Sequence, residues 1–430
     1  MPQLSSGGKN NQPLKDAAVS VAKKLQKSGF EALFAGGCVR DMVMGLDPKD
    51  YDIATNATPE TVQSLFKRTI PVGAQFGVIL VIRSGYQFEV ATFRSDGRYT
   101  DGRRPDDVKF GAAKDDVQRR DFTINGMLYD PVKRKLIDYV SGEEDIKKKI
   151  IRCIGNPHER LAEDKLRLLR AVRFSAHYGF EMEEETLKAL VSLGSCVSAV
   201  SQERICDEFE KIVTDKSRAT GVKMLREFGL LAYILPELND VFTTPDGAKL
   251  FEHSIETLDA LSAYSFPLSF AALMHEVGKP IAGDNYPEES AKLAGRAARR
   301  LKFSNAQRKK SLFLVLNQNS CAEASAAPLY KLKRLLAEEN FEELLLLMEA
   351  KMKSGCAEEE DIKFIRELHS SLTEEEIFPE PFIKGEDLIR LGLTPSALFS
   401  KIIEEIFNAQ LDGGVKNKEE ALSLVNKLIQ

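Results

Sequence analysis

Ala18, Val21, Ala22 and Leu25 recur at steps of three and four, a spacing that predicts an amphipathic helix over residues 15–29. "EALFAGG" then reads as a strand ending in a glycine pair, and "VRDMVMG" as a short helix stopped by Gly45 and Pro48. "YDIAT" is a second strand, and "TPETVQSLF" a helix opened by Thr-Pro. "FGVILVIRSGYQFEVATFR" alternates around Ser84-Gly85 and predicts a β-hairpin. This half is a mixed α/β domain. Residues 93–110, "FRSDGRYTDGRRPDDVKF", are glycine-rich, charged and aperiodic, and read as a mobile loop. After about residue 112 nearly every segment reads as helix. Breaks fall near Gly155-Asn156-Pro157, Pro236, 280–288, 326–328 and 378–385, with no fixed-period repeat. The layout is an N-terminal α/β head followed by an all-helical remainder.

Composition changes this picture little. The chain has 430 residues, 43% hydrophobic and 29% charged, which suits a soluble protein of two to four domains. No apolar run approaches the roughly 20 residues of a membrane helix. The opening "MPQLSSGGKNNQ" is polar, unlike a signal or transit peptide, so the expected location is cytoplasmic. Cys38, Cys153, Cys196, Cys206, Cys321 and Cys356 form no CxxC pair and suit neither a zinc site nor a disulfide framework. The net charge is −5, yet residues 145–173 hold nine basic and four acidic side chains. That pattern predicts a basic channel on an acidic body, steering a polyanion to one place.

"KDYDIATNAT" adds candidate chemistry. On a strand, Asp50 and Asp52 project to one face and repel unless a cation lies near. Mg²⁺ resolves such a cluster, taking carboxylates and completing its shell with water and phosphate oxygens. Glu89 becomes a third carboxylate if the hairpin pairs beside the Asp strand. Upstream, Gly36-Gly37 between strand and helix allows close approach of a phosphate, and Arg40 lies one turn into that helix. The DxD alone more often marks an Asx turn; the glycine turn ahead of it favours a site.

"GGCVRD", "LDPKDYDIATNATPE", "FEVATFRSDGRYTDGRRPDDV", "RRDFTINGMLYD" and "IGNPHERLAEDKLRLLRAVRF" occur in that order. Together they resemble the class II tRNA nucleotidyltransferases and bacterial poly(A) polymerases, densely over about residues 30–215. The resemblance implies a polymerase-β-like nucleotidyltransferase fold for the α/β head, followed by an all-α neck, body and tail. It implies that Asp50 and Asp52 bind metal and that Glu89 is the third head carboxylate. Gly36, Gly37 and Arg40 match the triphosphate-binding turn. Arg120, with Asp121 beside it, matches the arginine that contacts the nucleotide; the alternative for these two is a buried structural ion pair.

"AEDKLRLLRAVRF" places Asp164 and Arg167 three apart, on one face of a helix, with Arg170 and Arg173 continuing the step. Asp accepts from the exocyclic amine of cytosine or adenine, and Arg donates to a ring acceptor. Guanine and uracil present a carbonyl where the amine is required. In the resembled family this motif reads the base, Glu163 orients the arginine, and the later arginines contact phosphates. Without the head motifs, an ordinary salt-bridge ladder explains the same spacing.

Tyr99, Asp101, Arg103, Arg104 and Pro105 match the loop of full CCA-adding enzymes, which argues against addition of CC alone. "RTIPVGAQFGVILV" resembles the CCA-adding type more than the poly(A) polymerases. "FEHSIETLDAL" and "AALMHEVGKP" resemble an HD-domain phosphohydrolase, with Glu276 where that family has Asp. The chain has only five histidines. The expectation is a helical scaffold that supports tRNA without hydrolase activity. "IKGEDLIRLGLTPSALFSKIIEEI" resembles the family's tRNA-holding tail but lacks glycines near Ser396 and Ser400. The resulting division is head 13–142, neck 143–235, body 236–330 and tail 331–430. The expected activity is addition of C and A to the tRNA 3′ end from CTP and ATP, with Mg²⁺. A-only addition, poly(A) synthesis and a silent RNA-binding module are the rivals.

Overall fold

The computed structural model describes residues 11–73, 77–97, 108–242, 244–322, 324–355, 359–395 and 397–429. The chain forms two compact units, Met1–Ile234 and Leu235–Gln430.

In the first unit, α1 (Gln12–Lys27) begins before the apolar spacing does, because Pro13 is accommodated in its first turn. It buries Ala18, Val21, Ala22 and Leu25 beside β1 (Ala32–Ala35), a strand buried along its whole length. The chain then passes through α2 (Gly37–Val43), β2 (Asp52–Thr55), α3 (Pro59–Leu65) and β3 (Thr69–Gly73). The hairpin of β4 (Val78–Arg83) and β5 (Tyr86–Thr92) turns at Ser84 and Gly85, both with positive φ, as the two-residue connection requires. After β6 (Arg94–Asp96) and β7 (Val108–Phe110) come α4 (Ala113–Gln118), β8 (Met127–Asp130) and β9 (Lys135–Asp138). The main sheet has the order β3-β4-β5-β2-β1-β8-β9. All its pairings are antiparallel except β2 with β5. Leu33, Ala35, Ala54 and Leu128 of the central strands share a core with Phe93, Ala113 and Val117.

Three features differ from the sequence pattern. Strand structure continues past residue 112: β8 and β9 complete the sheet, although "MLYD" and "KLID" are too short to stand out from helix. The predicted loop over 93–110 starts and ends in paired strands, β6 with β7. Its Tyr99, Asp101, Arg103, Arg104 and Pro105 lie outside the described residues. Asp50 precedes β2 and is not part of it. The last β1–β2 pair is Ala35 with Asp52, because at Gly36 the chain leaves the sheet with φ +72° and offers Asp50 no partner.

Helices then dominate: α5 (Gly142–Lys148), α6 (Pro157–Glu163), α7 (Leu166–Tyr178), α8 (Glu184–Leu193), α9 (Gln202–Val213) and α10 (Arg218–Glu227). One two-residue parallel pair, β10 (Ile150–Ile151) with β11 (Glu181–Met182), lies among them. The α7 helix packs on α9 and α10, and Leu168, Ala171, Val172, Ile205, Phe209 and Val222 of these helices are buried. The single turn α11 (Leu231–Ile234) closes the unit.

Among its described residues the second unit contains helices and turns and no strand. It opens with α12 (Pro236–Phe242), α13 (Gly247–Ala260) and α14 (Phe266–Met274), the last buried at every position but Pro267. A separate core of Ile383, Leu388, Ile402, Ile406, Val415, Ala421 and Val425 holds its C-terminal helices. No described helix is long and apolar enough to cross a membrane. Cys38, Cys153, Cys206 and Cys321 are buried free thiols, and Cys196 is half-buried; Cys356 lies outside the described residues.

Candidate active site

The sheet register brings the predicted residues together. Pairing of Ala35 with Asp52 puts the Gly36-Gly37 turn beside Asp52, and pairing of Ile53 with Val90 puts Glu89 alongside it. Asp50 reaches the same place from the segment leading into β2. Gly36 has φ +72° and ψ −131°, a conformation open essentially to glycine alone. A Cβ there would lie 3.1 Å from Arg120 Nη1 and 4.0 Å from Asp52 Oδ2. Gly36→Ala is therefore strained by about 1–3 kcal/mol, a cost expected to appear as a lowered Tm in thermal unfolding.

Of these, Gly36, Gly37, Asp50, Asp52 and Arg120 open onto a cleft of about 590 Å³, whose lining does not include Glu89. Gly36, Gly37, Asp50 and Asp52 line one part of it, and Asp164, Arg167, Arg170 and Arg173 another. Eight Arg and Lys side chains face it against five Asp, an excess that suits a triphosphate. Desolvation, then the adjacent Glu89 and Asp50 carboxylates, raise the Asp52 pKa to about 6; Arg120 offsets this only in part. Paired carboxylates suit a hard divalent cation, although among the described residues the ligand atoms of Asp50, Asp52 and Glu89 do not close into a three-ligand set. Cys38, below the turn, donates to the Ala35 carbonyl at 3.3 Å. Burial and then Asp52 push its thiol up to about 12, so it is not a nucleophile here.

Several predicted residues are engaged by the protein itself. Arg120 pairs with Asp116 at 2.9 Å while its Nη1 stays beside Gly36. Asp121 does not pair with its neighbour Arg120. It accepts from Arg170 Nη2 at 2.6 Å, from Phe122 N–H at 2.8 Å and from Asn125 at 3.1 Å. Burial opposes its ionisation, but Arg170 and these hydrogen bonds hold its pKa at about 2. Arg40 donates to Asn125 at 2.6 Å and to Asp41, and its guanidinium sits over Phe174 and Tyr178. Arg173 pairs with Glu208 at 2.6 Å.

Asp164 and Arg167 do not share one helix, contrary to their spacing. α6 ends at Glu163, Asp164 is extended at φ −136° and ψ 103°, and α7 begins at Leu166. Arg167 is held by Glu163 at 2.6 Å and by the carbonyls of Arg160 and Arg119 at 2.7 and 3.1 Å. Among the described residues these bonds use three of its five N–H donors.

The sequence profile of the poly(A) polymerase head domain matches residues 32–152, and that of a probable RNA- and SrmB-binding site of polymerase A matches residues 179–242. A CCA-adding enzyme of Enterococcus faecalis is 33% identical over 409 residues, 94% of each chain. The chain belongs to the CCA-adding enzyme family. A CCA-adding enzyme of Anoxybacillus flavithermus is 40% identical over 259 residues, 60% of this chain and just under two thirds, 64%, of that relative. The crystal structure of the Bacillus stearothermophilus CCA-adding enzyme in complex with CTP covers 96% of this chain and 98% of its own, at a TM-score of 0.75 and 28% identity.

The CCA-adding family motifs point to most of this cleft; Lys49, Arg119 and Asn125, which also line it, lie inside those motifs without an assigned role, and Arg204 lies outside them. Lys49 stands next to Asp50 in the quoted stretch. Arg204 comes from α9, 40 positions beyond Asp164, and nothing in its local sequence marks it.

In the second unit, ligand atoms of His253, His275 and Glu276 lie within 4.8 Å of one another. The protein already occupies most of them. His253 Nδ1 bonds Glu276 at 2.7 Å, its Nε2 bonds Ser354 at 3.0 Å, and Lys279 pairs with the other Glu276 oxygen. His275 is fully buried, its Nδ1 bonds the Ala272 carbonyl, and burial lowers its pKa to about 3. The Lys279 ammonium supplies positive charge to Glu276 here. In the tail, Ser396 lies outside the described residues and Ser400 is exposed on the helix Ala397–Leu411.

Proposed function

We propose that this protein is a CCA-adding tRNA nucleotidyltransferase of the cytoplasm, adding C and A to the tRNA 3′ end from CTP and ATP. The observation that carries this reading is one cleft joining the Asp50–Asp52 carboxylates and the Gly36-Gly37 turn to the Asp164–Arg167 pair. Asp50 and Asp52, with Glu89 alongside Asp52, suit Mg²⁺, which supplies Lewis-acid stabilisation of the reacting phosphate oxygens. Gly36 and Gly37 admit the triphosphate without a Cβ in its path. Arg120 donates from beside that turn. Asp164 accepts from the base amine, Arg167 donates to the ring, and Glu163 fixes Arg167. The primer 3′-OH attacks the α-phosphate and pyrophosphate leaves. Asp121, Arg40, Arg170 and Arg173 hold the frame on which these groups sit, and the cationic side chains also attract the triphosphate.

Head 13–142 performs the transfer, neck 143–235 reads the base, and body 236–330 with tail 331–430 holds the tRNA by shape and phosphate contacts. Incubating tRNAs ending before C, after CC, and an unrelated RNA with CTP and ATP tests the reading. CCA completion on the first and A addition on the second are expected, with none on the third. A addition only after CC identifies the A-only enzyme, and tailing of the unrelated RNA a poly(A) polymerase. The occupied donors around His253 and Glu276 support a scaffold role without hydrolysis. Phosphodiesterase activity kept by Asp50→Ala and lost in His275→Ala overturns that role.

A further inference from the structure

Asp164 has no helix to orient it. It lies in the break between α6 and α7, where a short acidic side chain turns freely unless something holds it. Arg204 holds it: Nη1 donates to Oδ1 at 3.1 Å and Nη2 to Oδ2 at 2.8 Å, a two-pronged clamp. The Leu166 N–H donates to Oδ1 at 3.1 Å. A carboxylate offers about four acceptor positions. Among the described residues Oδ1 has two donors and Oδ2 one, so a single acceptor position on Oδ2 stays open, and Asp164 lines the cleft.

Arg204 is itself fixed. It sits in the first turn of α9, one turn before Glu208, which pairs with Arg173 and Arg170 of α7. Ile205 and Phe209 bury the adjoining face of α9. The side chain that aims Asp164 thus stands on a helix locked to the helix that carries Arg167.

We propose that Arg204 is the positioning residue for base choice, aiming one acceptor of Asp164 at the exocyclic amine of cytosine or adenine. This rests on the reading of Asp164 as the base acceptor given above. With the clamp in place, one lone pair meets one amine N–H, and the carbonyl of uracil or guanine faces an acceptor. Without it, Asp164 rotates, takes up water and meets either group. The consequence falls on discrimination more than on catalysis, because Arg204 needs no contact with the substrate.

The test measures kcat/KM for CTP and for UTP on a tRNA ending before C, in wild type, Arg204→Ala, Arg204→Lys and Asp164→Ala, with thermal unfolding of each. The CTP:UTP ratio is expected to fall about tenfold in Arg204→Ala, the worth of one acceptor facing the wrong partner. Arg204→Lys, which keeps the charge but loses the fork, is expected to recover part of the ratio. An equal loss of CTP and UTP use in Arg204→Ala marks a merely structural arginine and overturns the proposal. If Arg204→Ala does not fold, a wild-type ratio in Arg204→Lys overturns it, and a lowered ratio supports it. A collapsed ratio in Asp164→Ala beside an unchanged one in Arg204→Ala refutes the role of Arg204 alone. An unchanged ratio in Asp164→Ala refutes the base-acceptor reading itself.

Discussion

Asp52→Asn is expected to cut nucleotide addition by about 10³-fold while leaving the metal-free protein more stable at neutral pH. On the proposed role of Asp52 as a metal ligand, the activity loss follows from removing a charge where several kcal/mol of transition-state stabilisation would be supplied. The stability gain follows from the direction of the pKa shift. Partial desolvation and the nearby Glu89 and Asp50 raise the Asp52 pKa from 3.8 to about 6. A carboxyl whose folded pKa exceeds its unfolded value binds its proton more tightly in the folded state. It costs nothing below about pH 4 and an increasing amount as pH rises to about 6. Asparagine removes that cost. The difference in unfolding temperature between variant and wild type, measured in EDTA, should be near zero at pH 4 and reach a plateau above pH 6. The plateau corresponds to about 1 kcal/mol, less than the shift alone implies, because solvent in the open cleft screens the carboxylates. Saturating Mg²⁺ should reverse the order, stabilising wild type and not the variant. Full activity in Asp52→Asn, or a variant less stable than wild type in EDTA at pH 7, refutes the assignment.

Legibility in the sequence followed interaction range. The helix at Gln12–Lys27, the glycine turn, the 78–92 hairpin and the α/β-to-helical change all follow from periodicity and turn chemistry over a few residues. The neighbourhood of Asp52 and Glu89 needed one further fact, that β5 pairs parallel to β2, which no local pattern states. The short strands at Met127–Asp130 and Lys135–Asp138 were missed because four-residue apolar runs look alike in helix and strand. Asp164 was misplaced on a helix because i,i+3 spacing cannot reveal that a helix ends at Glu163 and another starts at Leu166. Partners were the least legible. Arg120 and Asp121 are adjacent in sequence and read as a pair, yet Arg120 pairs back to Asp116 and Asp121 pairs forward to Arg170. Which cation meets which carboxylate depends on how α4 and α7 approach, and that is set by packing.

Arg170→Leu separates the two roles open to the arginines of α7. Were Arg170 chiefly a phosphate contact, its loss would raise KM and leave stability alone. The structure makes it the partner of a buried carboxylate instead: Nη2 lies 2.6 Å and Nε 2.8 Å from Asp121 Oδ2, and the Asp121 side chain is 9% exposed. Removing one member of such a pair costs about 3–5 kcal/mol, because the other is left charged without compensation. For the first unit this corresponds to a fall of about 10 °C in Tm. The loss should extend beyond one pair. Asp121 also accepts from Asn125, Asn125 accepts from Arg40, and Arg40 and Arg170 both lie over Phe174. One network thus joins α2, the turn at Thr123–Asn125 and α7, and its disturbance displaces the Gly36-Gly37 turn and Arg167 together. The pH profile gives an independent readout. In wild type the Asp121 pKa, about 2 against 3.8 unfolded, contributes about 2 kcal/mol that is present above pH 4 and lost toward pH 2. Arg170→Leu should lose that acid limb. Adding Asp121→Asn should then recover much of the Tm, because the unpaired charge is gone while the cavity remains. A variant with wild-type Tm and acid limb but a raised KM would return Arg170 to the phosphates.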